Sequence, residues 1–189
     1  ANNSPKNLKF EAMRGLFDGT QKLYVHASDA PAMTQAVLLA KKHGMSSVIV
    51  GGRQAWRIAG FLKENSVSVI LNKPQSLPQR ADDDIDQPFK NAALLEEAGV
   101  QYCISMGGNW TQRNLGFQAG QSIGFGLEYE QAVRAITLSP ARIMGIDKQI
   151  GSIEEGKDAT LFISSGDALD MRTGIVERAF IQGRDVDLG

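Results

Sequence analysis

His26 closes the apolar run Leu23-Tyr24-Val25. A histidine at a strand end can bind a metal or carry a proton. Taken alone, such a histidine is more often structural than ligating. His43, the other histidine, precedes Gly44 at the close of an amphipathic stretch, where a cation favours a helix C-terminus. A second stretch, Ser105-Met106-Gly107-Gly108-Asn109-Trp110, follows the apolar run 101–105, and Arg113 comes just after it. An arginine fork can orient a substrate carboxylate, so Trp110 and Arg113 are candidate substrate contacts, although capping or packing explains Arg113 equally well. Asn109 offers an amide, which takes no proton at neutral pH. No aspartate or glutamate occurs from Gln101 to Leu127. Asp82-Asp83-Asp84 and Asp86, between Pro78 and Pro88, read as a solvated loop of like charges rather than a metal cluster. The glycines at 107, 108, 116, 120, 124 and 126 form no phosphate loop, because no GxGxxG turn joins a strand to a helix and no P-loop lysine follows. The single cysteine, Cys103, excludes an internal disulfide and a cysteine zinc site. Its apolar neighbours predict a buried, inert thiol.

Apolar runs alternate with amphipathic ones along the first three quarters of the chain. Strands are predicted near 23–26, 47–51, 67–71 and 101–105. Helices are predicted at 6–18, after a cap at Ser28 or Asp29, from about Gln54 to Glu64, from Phe89 to Ala98, and up to about Leu138. Ser139 and Pro140 predict a helix start, with Ala141–Met144 as the helix and Gly145 as its stop. Strand–helix alternation with short apolar strands means parallel pairing. From Ile150 onward, turns are dense and strands short. We place a boundary near residue 148.

The chain has 189 residues, 42% of them hydrophobic, enough for a sizeable core. A full (β/α) barrel takes about 250 residues, so the chain is too short for one plus an appendage. Twenty basic and 21 acidic residues nearly cancel, which leaves no basic field for nucleic acid and no charged face for a membrane. No apolar run reaches the roughly 20 residues of a spanning helix, and ANNSPKNLKF has no signal core. The expectation is a soluble protein, with cytoplasm and periplasm both open.

The motifs Ser139-Pro140-Ala141, Gly145-Ile146, Ile150-Gly151-Ser152-Ile153, Gly156-Lys157-Asp158-Ala159 and Phe180-Ile181-Gln182-Gly183-Arg184 recur at a fixed spacing. They resemble the end of an amidohydrolase-superfamily enzyme of the imidazolonepropionase-like branch. The resemblance implies an α/β fold: the C-terminal half of a (β/α)8 TIM-type barrel, strands five to eight, over residues 1–148. Strands of a small β-sandwich would follow over 149–189. It implies a parent that hydrolyses C–N bonds of small molecules or peptides with metal-activated water. His26 would be the strand-five metal ligand. Gly51 would stand where the family has its next histidine, and Asn109 at or beside the family's aspartate, which is both ligand and base. The zinc or other divalent ion of the family is therefore not expected on this chain alone. A catalytically inactive homologue, a binding or scaffold protein, is the alternative. An open half barrel would expose its outer strands and an inner face built from residues such as Leu23, Val25, Val48, Val50, Val69 and Ile104, so a homo-oligomer is expected.

Overall fold

The computed structural model describes residues 7–188. Two short helices open the chain, α1 (Leu8–Ala12) and α2 (Arg14–Asp18). The sequence predicts one helix over 6–18, whose first residue lies outside the described residues. The break falls at Met13. The chain turns back so closely that Gln21 N–H donates to Gly15 O at 2.8 Å.

Four parallel β/α steps follow. β1 (Leu23–Ala27) leads to α3 (Ala30–Lys42), and β2 (Ser47–Gly51) to a 3-10 turn (Ala55–Ile58) and α4 (Ala59–Glu64). β3 (Ser68–Leu71) leads to α5 (Gln87–Glu97), and β4 (Tyr102–Ile104) to α6 (Leu115–Ile123). The strand order is β1-β2-β3-β4, all parallel. Asp29 caps α3 by accepting from Ala32 N–H at 2.9 Å, and His43 is its C-cap residue. The stretch after Gln54 is 3-10 rather than α at its start. The Gln54 side chain does not cap it, because its Oε1 accepts from Ala30 N–H at 3.0 Å instead.

Strand alternation sorts the sheet into two faces. Val25, Ala27, Ile49, Val69, Leu71, Tyr102 and Ile104 pack with Met33, Val37, Leu62 and Leu95 of the helices into the main core. Val25, Val69 and Ile104 therefore point outward to the helices, as does the side of the strand that Leu23 shares with Val25. The inner-face expectation holds for Val48 and Val50 only. His26, Val50, Ile70 and Cys103 are register partners in one row across the sheet on that inner face.

α7 (Tyr129–Ile136) and α8 (Leu138–Met144) come next. A capping box between Glu128 and Gln131 starts α7. Ser139 lies inside α8 rather than capping it. Thr137 flanks the helix, and its hydroxyl bonds back to Val133 O at 2.8 Å. Gly145 stops α8 at φ 76°. α8 crosses the inner face: Ile143 packs on Val48, Ile70 and Cys103, and its carbonyl accepts from Lys22 Nζ at 2.7 Å. Three antiparallel strands follow residue 148: β5 (Leu161–Ser164), β6 (Val176–Ile181) and β7 (Arg184–Val186). Gln182 and Gly183, at φ 50° and 76°, make the tight β6–β7 turn. The fold is a partial TIM-type barrel with a small antiparallel sheet. No described helix is long and apolar enough to cross a membrane.

Candidate active site

Catalytic groups of parallel barrels stand at the C-terminal strand ends. At the end of β1, His26 is exposed on the inner face and Ala27 is buried against the helices. The inward neighbour of His26 on β2 is Val50, whose isopropyl group donates nothing to a metal. Gly51, the position read as the missing histidine, pairs with Ala27 in the helix-facing row. It has φ 112°, and a Cβ there would meet Ser28 Oγ at 2.9 Å and Ala27 O at 3.0 Å. A side chain at 51 is thus blocked by backbone as well as absent.

After β4, Ser105 donates both its N–H and its hydroxyl to Leu71 O at 2.8 Å, tying the β4 end to β3. The turn then runs outward. Asn109 is exposed, and Trp110 is 80% exposed with Arg113 stacked over its ring at 5.3 Å. Thr111 Oγ1 donates to Gly107 O at 2.6 Å and holds the turn. Trp110 and Arg113 form one exposed cation–π unit after β4.

The loop from Asn72 to Asp86 covers the ends of β2 and β3. The sequence reads its aspartates as like charges in solvent, and the structure pairs them. Asp82 is held by Arg80, Asp84 by Lys90 and Asp83 by Arg57. Arg80 and Lys90 keep the carboxyls of Asp82 and Asp84 below the usual range. The Asp83 side chain is only 3% exposed, which the repeated aspartates could not reveal. Gln75 and Gln118 exchange hydrogen bonds at 3.0 and 3.1 Å, fixing the loop to α6. Cys103 lies under α8, and burial pushes its thiol up to about 12. Among the described residues, no three His, Cys, Asp or Glu side chains gather in a way that could hold a metal ion.

A family model described as "Amidohydrolase family" matches residues 20–186. An amidohydrolase from Thermotoga maritima MSB8 is 27% identical; the likeness covers 97% of this chain and 48% of that one, with a TM-score of 0.88. An Xaa-Pro dipeptidase with bound methionine in its active site is 18% identical, with 94% and 47% covered and a TM-score of 0.69. An adenosine deaminase from Xanthomonas campestris with bound zinc is 20% identical, with 96% and 49% covered and a TM-score of 0.58. The chain thus spans just under half the length of these proteins. Among curated proteins, none matches it.

Proposed function

The chain belongs to the amidohydrolase family, and on that premise we propose that it is the C-terminal half of a hydrolase acting on C–N bonds, cyclic or peptidyl amides among them. The observation that carries this reading is the fit of nearly the whole chain to one half of the Thermotoga amidohydrolase, with His26 facing inward at the end of β1. The names of two neighbours, a dipeptidase and a deaminase, support the bond class. Trp110 and Arg113 would contact substrate from the rim. A divalent ion such as zinc supplies an activated water in hydrolysis of this kind. It needs about three protein ligands. His26 is one, and its inward neighbour Val50 is none, so the residues of this chain do not by themselves fit the ion. Further ligands would have to come from strands other than these, in the part of the related amidohydrolase that this chain does not span.

A second reading, a homologue that binds without cleaving, is favoured by one observation. By resemblance Asn109 falls at or beside the position of the family's base, and no carboxylate occurs from Gln101 to Leu127. Metal content and amide hydrolysis, measured on a longer polypeptide that contains this sequence, separate the two. Stoichiometric metal and turnover, both lost in His26→Ala, support the hydrolase. A metal-free, inactive protein supports the binding protein.

A further inference from the structure

At the N-terminal end of β4, away from the strand ends that carry His26, a hollow of about 300 Å³ opens to solvent among α5, α7 and α8. Glu96, Gly99, Tyr102, Arg134, Ser139 and Arg142 line it. Tyr102 is 3% exposed, and its hydroxyl is buried without a hydrogen-bond partner. Burial, and then the nearby Glu96 carboxylate, push this phenol up, so it keeps its proton. Glu96 nevertheless closes no hydrogen bond of good geometry on it. Arg134 reaches Glu96 only at 3.9 Å. Arg142 is exposed and forms no ion pair among the described residues. It acts on Glu154 only at longer range, and Ser152 and Lys157 already hold that carboxylate. Lys63, also without an ion pair among the described residues, overhangs the wall: its Nζ lies 3.2 Å from where a Cβ on Gly99 would stand.

We propose that this hollow binds a phosphate group, as free phosphate or on a small phosphate monoester. Three cations, Lys63, Arg134 and Arg142, face one carboxylate there, and that excess of positive charge suits a dianion. A phosphate monoester carries about −1.5 to −2 at pH 7 and three acceptor oxygens. The guanidinium forks match those oxygens, and the hydroxyls of Ser139 and Tyr102 supply two more donors. Binding would give the buried Tyr102 hydroxyl the partner it lacks. Glu96 is the one adverse group, and its weak bridge to Arg134 screens it only in part. The hollow has the volume at which small-molecule sites begin, roughly 300 Å³. The site is separate from the strand ends where hydrolysis is placed.

The test is calorimetric titration of the full chain with inorganic phosphate and with glycerol phosphate, at one ionic strength. Binding is expected, weakened about tenfold in Arg142→Gln and unchanged in Arg172→Gln, an exposed arginine elsewhere. Tyr102→Phe should weaken binding while leaving the melting temperature of the free protein in place, because the hydroxyl it removes has no partner to lose. Glu96→Gln should strengthen binding, since it removes the one opposing charge. Tighter binding of glycerol phosphate identifies a phosphate monoester as the ligand, and equal binding identifies free phosphate. Absence of binding at millimolar concentrations of both, binding undiminished in Arg142→Gln, or weaker binding in Glu96→Gln overturns the proposal. Arg142 is exposed, so its variant keeps the fold, which thermal melting verifies.

Discussion

The carbonyl oxygen of Leu169 lies 2.3 Å from where a Cβ on Gly120 would stand. Gly116 makes the same kind of approach one turn earlier, 2.8 Å from Ala168 O. These two glycines let the segment after β5 lie directly on α6. Leu169, 6% exposed, then enters the main core, and Tyr129 donates to Asp167 at 2.8 Å beside it. The antiparallel segment is thereby fastened to the half barrel by packing as well as by chain connection.

Gly120→Ala should therefore destabilise the protein although alanine is the better helix former. Backbone stands against the new methyl, and overpacking of this kind costs about 1–3 kcal/mol. Helix propensity returns about 1 kcal/mol at most. Thermal unfolding should show a lower midpoint for Gly120→Ala. Gly60→Ala, where nothing stands within 4 Å of the new Cβ, should show none of this loss.

Asp83→Ala should loosen the loop that covers β2 and β3. It strands the Arg57 guanidinium, which also stacks on Trp56 at 4.4 Å. Removing one partner of a largely desolvated pair costs about 1–3 kcal/mol here, below the fully buried case because the arginine is partly exposed. Limited proteolysis should cut between residues 73 and 86 faster in this variant. Asp82→Ala, at a side chain 67% exposed, should change the rate little.

The folded Cys103 thiol, pushed up to about 12 from an ordinary 9.0, should resist thiol reagents at pH 8. A difference of three pH units means roughly a thousandfold less thiolate than in the unfolded chain. The stability linked to the neutral thiol is fully present below pH 9.0. It declines as pH rises from 9.0 toward about 12, since the unfolded chain ionises first. Rapid labelling of the native protein at pH 8 would contradict this.

The parallel half barrel was legible because apolar runs of strand length alternate with helices stopped by Gly44 and Gly99, both at positive φ. The face each strand residue takes was less legible. Val25 and Val69 sit in apolar runs, where alternation leaves little trace in residue type, although Tyr24 and His26 on the other face of β1 are exposed. Asp83 shows the same limit at the site. Three aspartates in a row look alike, and only the approach of Arg57 distinguishes the buried one.

Self-association is the expected outcome of the open sheet. β1 and β4 each have one edge without a strand partner in the four-stranded sheet. Unpaired edges favour pairing with another chain. α8 already covers Val48 and Cys103, so a second copy would bring a second α8 into one barrel floor. Contact through a strand edge is accordingly expected rather than closure of an eight-stranded barrel. Light scattering at micromolar concentration should give a dimer or larger species. A clean monomer would mean that α8 and the covering loop suffice to close the sheet.

Elemental analysis of the purified chain is the most direct test of the central claim, that these residues supply one inward imidazole and leave the rest of the metal site to other strands. After equilibration with zinc and removal of excess, well under one zinc per chain is expected, with no difference between the native sequence and His26→Ala. About one zinc per chain, abolished by His26→Ala, would show a complete site within these 189 residues and contradict the claim.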